Sequence, residues 1–200
     1  DDPYELYLES VRGHRRLLTG FGGNPKADPE KFAEAQNPKH VAISLNGEPT
    51  LYSRLGEFLD ICHQHGTSTF LVTNGSLPKV IENLDTLPTQ LYVSVDAPNK
   101  ELFDRLCKPK FDQGAFYKLE QTLELLPSLD TRTVCRHTLI KHESLGHHED
   151  YARLDNIADP DFIEAKGYVN VGNSRNNLSI ENMPTHQEIL EFSNALAPLV

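Results

Sequence analysis

Residues 40–50 are His-Val-Ala-Ile-Ser-Leu-Asn-Gly-Glu-Pro-Thr, an apolar strand pattern that ends in a glycine–glutamate–proline turn. Gly47 permits an unusual turn or a close backbone approach, and Pro49 prevents the hydrogen-bonded strand from continuing. Apolar residues then recur at the spacing of one helix face, at Leu51, Leu55, Phe58, Leu59 and Cys62. The stretch therefore predicts a strand, a short polar loop and a helix.

The same alternation of strand and helix continues to the end of the chain. Strands are predicted at residues 40–45, 67–73, 91–95, 131–140 and 162–171, and helices at 51–62, 78–84, 116–126, 151–158 and 189–196. A helix over Tyr4–Leu18 precedes them all, which predicts a further strand upstream of Asp1. This order indicates an α/β fold with a parallel sheet and right-handed connections. A closed or partly closed barrel and an open doubly wound sheet both fit it.

Length and composition predict a single soluble domain over residues 1–200. The net charge of −10 argues against a generally basic surface for nucleic acid but allows a local basic face. Three cysteines, Cys62, Cys107 and Cys135, are too few and too far apart for a disulfide framework and fit a reducing cytosol. No apolar run is long enough to span a bilayer, so a cytoplasmic protein without a membrane partner is expected.

Polar residues follow the predicted strands, at the sheet edge where α/β folds place their chemistry. Glu48 could accept hydrogen bonds from an ammonium group. Ser94 and Asp96 share one strand face and could hold hydroxyls or an amino acid head group. Each motif taken alone also has a plainer interpretation. Thr50 could simply cap the next helix, and Asp96 could form a local turn ahead of Pro98.

Taken together and in order, these motifs resemble the radical S-adenosylmethionine (SAM) barrel. A narrower resemblance, to the 4-demethylwyosine synthase family, covers nearly the whole chain. It is carried by residues 40–52, 70–74, 88–97, 132–134 and 161–168. The resemblance implies a partial (β/α)6 radical SAM barrel whose first strand and cluster-binding loop lie outside this chain.

The resemblance also implies the cofactors and the residues that meet them. SAM would be bound by the residues that end three successive strands, namely Gly47, Glu48, Pro49, Thr73, Asn74, Ser94 and Asp96. The family's [4Fe–4S] cluster is held by a Cys-x3-Cys-x2-Cys loop, and that pattern occurs nowhere in this sequence. No metal ligand is therefore assigned, and this chain alone is expected to be inactive. Whether a flavin-binding domain accompanies it is left open.

The family's reaction follows from the resemblance. An electron donor reduces the cluster, SAM is cleaved to methionine and a 5′-deoxyadenosyl radical, and N1-methylguanosine in tRNA is joined to two carbons of pyruvate to form 4-demethylwyosine. The protein orients the reactants and shields the radical. The family's pyruvate-binding lysine belongs to the upstream segment.

An acidic chain that binds tRNA must gather its basic groups where the barrel opens. Candidates are Arg12, Arg15, Arg16, Lys108, Lys110, Arg136, Lys141, Lys166 and Arg175. Arg136, Lys166 and Arg175 are predicted to meet substrate. Lys166 is also the candidate catalytic residue, because a lysine inside an apolar strand is rarely buried without a partner. It is expected to point into the barrel mouth.

Two other functions fit parts of the sequence. A degenerate barrel without a cluster could bind SAM or RNA without catalysis. An ordinary barrel aldolase could use Lys166 as a Schiff-base residue and would need no cluster. The histidine-containing segment 141–148 is interpreted as a solvated loop rather than a metal site. Cys62 is expected to be a buried core thiol.

Overall fold

The computed structural model describes residues 2–110, 112 and 114–200, so Asp1, Phe111 and Gln113 lie outside the described residues. Within that part of the chain the helices are α1 (Pro3–Leu17), α2 (Pro29–Ala35), α3 (Leu55–Gln64), α4 (Pro78–Glu82), α5 (Lys100–Leu106), α6 (Ala115–Leu125), α7 (His148–Ala158) and α8 (His186–Leu196). The strands are β1 (His40–Ile43), β2 (Ser68–Thr73), β3 (Gln90–Ser94), β4 (Arg132–Leu139) and β5 (Phe162–Gly167).

All five strands are parallel and lie in the order β1-β2-β3-β4-β5. The predicted succession of five strand–helix units is confirmed, but α2 lies between α1 and β1, and α5 precedes α6 after β3. Since the strands run in one direction, their carboxyl ends meet at a single edge of the sheet. That edge carries the polar residues that the sequence places after each strand.

The sheet has one face covered by helices and one face that is more open. Along β4, Cys135, His137 and Leu139 are fully buried toward the helices, whereas Arg136 and Thr138 are only half-buried. This alternation is the period of two that a strand imposes on its side chains. The core therefore lies between the sheet and helices α3, α6, α7 and α8. The open face is available for ligands.

The strand predicted at 162–171 is wrong in its extent, since β5 ends at Gly167. The Tyr168 N–H still donates to the Leu139 carbonyl at 2.8 Å. The Val171 N–H then donates to the Val169 carbonyl at 2.9 Å, which marks a tight turn. The Tyr168 hydroxyl bonds Asn170 and Ser174, which curls the chain away from the sheet. The apolar β-branched residues Val169 and Val171 therefore follow the strand without extending it.

Two local predictions also differ from the structure. Helix α2 was missed, although Asp28 caps it and Pro29 opens it, which is a recognisable start signal. Thr50 does not cap a helix. Glu48 instead caps a short 3-10 turn at Pro49–Leu51, and α3 begins only at Leu55. None of the described helices is both long and apolar enough to cross a bilayer.

Candidate cofactor and substrate site

A cavity of about 490 Å³ opens at the carboxyl ends of β2 to β5. Its polar lining comes from Asn74, Ser76, Ser94, Asp96, Thr138 and Ser174. Its apolar walls include Phe103, Leu106, Ile140, Tyr168 and Leu178. A concave, largely apolar space with a few convergent polar groups is typical of a small-molecule site. Three of the predicted SAM residues, Asn74, Ser94 and Asp96, thus line one cavity.

Glu48 connects the end of β1 to the end of β2. Its Oε1 accepts hydrogen bonds from the Thr50 backbone at 3.1 Å and from the Thr50 and Thr73 hydroxyls at 2.7 Å each. Its Oε2 accepts from the Asn74 backbone at 2.8 Å. Gly47 makes the turn before it with a φ of 77°, and Pro49 follows at the start of the 3-10 turn. Glu48 is not among the residues that line the cavity, and its contact with an ammonium stays a prediction.

Asp96 supplies the negative charge of the cavity. Its half-buried carboxylate has a pKa that is raised above the ordinary value, because burial disfavours the charged form. A hydrogen bond from Thr138 and the positive charges of His137, Lys166 and Arg136 all oppose that rise. A carboxylate in this setting favours a cationic ligand, because the ligand's positive charge would compensate for the hydration that the carboxylate loses on burial.

Below the cavity, a row of polar residues crosses the open face of the sheet. Ser94 pairs with Arg136, and Arg136 pairs with Glu164, in the register of β3, β4 and β5. The Arg136 Nε donates to Glu164 Oε2 at 2.9 Å, and its guanidinium lies 4.5 Å from the centre of the Tyr92 ring. Arg136 is therefore already held within the protein. A direct contact of Arg136 with substrate stays a prediction.

Lys166 lies one row closer to the carboxyl edge, paired in register with Thr138 of the cavity wall. Its side chain is exposed on the open face of the sheet, away from the core helices. Its charge lowers the pKa of Asp96, so it lies near the cavity rather than on the outer surface. Arg175 is exposed next to Ser174 of the lining, and its Nε donates to the Asn170 carbonyl at 3.0 Å.

Two loops border the cavity, and sequence patterns gave little sign of either. One follows α5 and contributes Cys107 and Pro109, and the other follows β5 and contributes Ser174 and Leu178. A hydrogen bond of 2.7 Å from Lys108 Nζ to Asn177 Oδ1 joins them. A contact between residues so far apart in the chain has no local signature.

The cysteines do not form a cluster site. Cys62 and Cys135 are buried in the core, as expected for Cys62, and Cys107 is exposed. Burial raises the pKa of Cys62 to about 11, which disfavours the thiolate that a metal needs. Across the described ranges, no three His, Cys, Asp or Glu side chains converge on a possible metal position. These residues do not fit a [4Fe–4S] cluster.

Residues 17–154 match the radical SAM superfamily, and residues 157–200 match the family described as wyosine base formation. The chain belongs to the radical SAM superfamily. Membership accounts for a parallel sheet that carries its polar residues at one edge, and it decides between the two sheet forms that the sequence left open. The radical SAM enzymes use SAM and a [4Fe–4S] cluster, so both cofactors are implied for this family member.

Similar proteins place the chain more narrowly within the superfamily. It is 48% identical over 199 residues to the SAM-dependent tRNA 4-demethylwyosine synthase of Pyrococcus horikoshii, covering 98% of this chain and 58% of that protein. A structure of TYW1 with a lysine–pyruvate adduct bound has a TM-score of 0.89 and 38% identity, over 99% of this chain and 63% of that one. A crystal structure of archaeal TYW1 has a TM-score of 0.83 and 35% identity, over the same shares.

These matches confirm the resemblance and the partial radical SAM barrel. The chain spans less than two thirds of the length of those relatives. SAM suits the cavity on chemical grounds. The Asp96 carboxylate favours a cation, Ser94 and Thr138 offer hydroxyls, and Phe103 and Tyr168 belong to an apolar wall of the kind that suits an aromatic base.

Proposed function

We propose that this chain forms the SAM-binding and tRNA-facing part of an enzyme that converts N1-methylguanosine in tRNA and pyruvate into 4-demethylwyosine. The observation that carries the proposal is the cavity at the carboxyl edge, where Asn74, Ser94 and Asp96 converge. The strong similarity to enzymes named for this reaction supports it. The enzyme would act as a lyase in the cytoplasm and would depend on an electron donor.

The cluster and SAM together supply the radical chemistry when both are bound. The chain's own residues bind and orient. Asp96 attracts a cationic part of SAM, and the Ser94 and Thr138 hydroxyls are placed to accept or donate hydrogen bonds. Glu48 fixes the ends of β1 and β2 relative to each other and presents its carboxylate to the SAM ammonium. The loops after α5 and β5 form part of the cavity wall and would limit the access of water to bound SAM.

Lys166 is assigned to the substrate side of this site. It is exposed on the open face beside the cavity wall, where its ammonium can meet pyruvate or a tRNA phosphate. In the complete, cluster-loaded enzyme, Lys166→Ala should lower product formation far more than it lowers SAM affinity. Equal losses in both would assign Lys166 to SAM instead, and full activity on tRNA would remove it from the site.

The deciding experiment uses the full-length protein with its cluster reconstituted under anaerobic conditions. Incubation with a reductant, SAM, pyruvate and tRNA carrying N1-methylguanosine should yield 5′-deoxyadenosine and 4-demethylwyosine, detected by mass spectrometry. Omission of pyruvate should abolish the tricyclic base. The 200-residue chain alone, treated with iron and sulfide in the same way, should give neither product, because its cysteines do not converge. Product from the chain alone would contradict this assignment of the cysteines.

A further inference from the structure

A histidine–carboxylate pair lies fully buried behind the cavity, on the helix side of the sheet. His137 Nε2 is 2.9 Å from Asp155 Oδ2, and neither side chain is exposed to solvent. Asp155 Oδ1 is buried without a hydrogen-bond partner. Desolvating such a pair is costly, and well-packed apolar side chains in its place are often no less stable. Stability alone therefore gives a weak reason for its presence.

The other nitrogen of His137 meets the strand that carries Asp96. Nδ1 lies 3.4 Å from the carbonyl oxygen of Val95, the residue just past the end of β3. The Val95 N–H donates to the Arg136 carbonyl at 2.8 Å. Residues of β4 thus hold both backbone groups of Val95. The N–H bonds the Arg136 carbonyl, and the carbonyl oxygen faces the His137 side chain. The next residue, Asp96, projects into the cavity.

The imidazole lies between two oxygen atoms. Its Nε2 faces Asp155 Oδ2, and its Nδ1 faces the Val95 carbonyl oxygen. The ring packs at 4.4 Å from that of Tyr151, and the Cys135 thiol lies near Asp155 with a pKa raised by burial. The charge of His137 acts on the Asp96 carboxylate from behind and favours its ionised form.

We propose that His137, held by Asp155, is a positioning residue that fixes the Val95–Asp96 end of β3 and so aims the Asp96 carboxylate at a cationic part of SAM. The proposal rests on the proposed function of the cavity as the SAM site. It assigns no contact between His137 and SAM, because the imidazole is buried on the helix side of β4 and is not part of the cavity lining. Losing the contact with Val95 releases the end of β3 directly, whereas losing Asp155 frees the imidazole and weakens that contact.

Two substitutions at the same position separate this role from simple core packing. In His137→Asn the side-chain amide occupies the place of Nδ1 and can still donate to Val95, but the bond to Asp155 is lost. In His137→Gln the amide reaches the place of Nε2 and keeps Asp155, but Val95 is released. We therefore expect the Gln variant to retain more thermal stability and the Asn variant to retain more SAM affinity.

The measurement is SAM affinity by calorimetry in the full-length, cluster-loaded enzyme, together with the melting temperature of each variant. His137→Gln should weaken SAM binding about tenfold and His137→Asn only about threefold. If affinity instead falls in step with melting temperature across the two variants, His137 is only a core residue and the proposal is overturned. The same conclusion follows if His137→Gln binds SAM as tightly as the natural protein.

A second pair of variants tests the proposal if substitutions of His137 do not fold. Asp155→Asn keeps the volume of the side chain but weakens the hydrogen bond that holds the imidazole, so SAM affinity should fall about threefold. Cys62→Ala removes an equally buried thiol on α3, outside β4 and α7, and should leave affinity unchanged. Equal losses in both variants would overturn the proposal.

Asp96→Asn distinguishes a failure of the proposed SAM site from a failure of the positioning role. If this variant binds SAM normally, the cavity is not the SAM site and the proposed function fails there. If Asp96→Asn weakens SAM binding while His137→Gln does not, the site stands and only the positioning role is wrong.

Discussion

At the scale of single residues, Glu48 joins two strand ends through both of its carboxylate oxygens. A glutamine has one acceptor oxygen and one donor amide, so Glu48→Gln leaves either Asn74 or the two threonines facing a donor. Loss of the charge-assisted bond to an ammonium should weaken SAM binding about tenfold in the full-length enzyme. Calorimetry with SAM measures this directly.

The control for Glu48 is Thr50→Val, which removes one hydroxyl bond to Oε1 and keeps both carboxylate oxygens. Affinity for SAM in this variant should stay within about twofold of the natural value. A normal affinity in Glu48→Gln, or an equal loss in Thr50→Val, would show that Glu48 acts only in the fold.

Asp96 gives a prediction in which stability and binding change in opposite directions. Because its pKa is raised in the folded protein, the folded state holds the proton more tightly than the unfolded chain does. The free energy of unfolding therefore falls as pH rises from the ordinary pKa of 3.8 through the raised pKa. Above the raised pKa, the full loss of stability due to Asp96 is present. Asp96→Asn should raise the melting temperature at pH 7 while it weakens SAM binding.

The pH series supplies the check on Asp96. The gain in melting temperature of Asp96→Asn over the natural protein should shrink as pH falls through the raised pKa and vanish below 3.8. SAM affinity of the natural protein should fall over the same pH range, since the protonated carboxyl no longer attracts a cation. A melting difference that is constant with pH would contradict this account.

At the scale of elements, the turn after β2 requires glycine for two separate reasons. Gly75 has a φ of 70°, and a Cβ there would lie 2.8 Å from Leu119 Cδ1 of α6. The turn also receives a hydrogen bond of 2.8 Å from the Thr122 hydroxyl to its carbonyl. The turn that presents Asn74 to the cavity is therefore packed directly against α6.

Gly66 provides a matched control, since its φ is 68° but a Cβ would meet nothing within 4 Å. Gly66→Ala should cost about 1 kcal/mol, from backbone strain alone. Gly75→Ala should cost roughly 2 kcal/mol more, because Leu119 must shift in a packed core. Chemical denaturation of both variants measures the difference, and equal losses would mean that α6 yields to the added methyl group.

At the scale of the whole molecule, the proposed function requires an acidic chain to bind the anionic tRNA. Several of the basic candidates are paired with acids, namely Arg12 with Glu9, Arg136 with Glu164 and Lys141 with Glu188. Lys108 instead bonds the neutral amide of Asn177, and Arg175 bonds a backbone carbonyl. Both lie on the loops that border the cavity, so two of the positive charges that face neutral partners lie at its mouth. Arg15 of α1 also bonds only neutral groups, at Gln36 and Asn37.

This distribution predicts which lysines tRNA binding depends on. In the full-length enzyme, Lys108→Ala should weaken tRNA binding and lower the slope of log affinity against log salt by about 1. Lys100→Ala should change neither, because Lys100 is already paired with Asp104. Filter binding between low and physiological salt tests both, and equal slopes in the two variants would place the tRNA elsewhere.

The sequence by itself determined the order of elements and the edge at which the chemistry lies. Strand and helix periodicities are properties of neighbouring residues and can be read from the sequence. Parallel strands then bring residues such as Asn74 and Asp96 to the same edge, whether the sheet is open or closed. Only the tertiary structure decided the contacts that cross the chain. Glu48 reaches Asn74, His137 reaches both Val95 and Asp155, and Lys108 reaches Asn177. Such contacts depend on which helix packs against which strand, and that choice is made by the whole core rather than by any pattern of neighbouring residues.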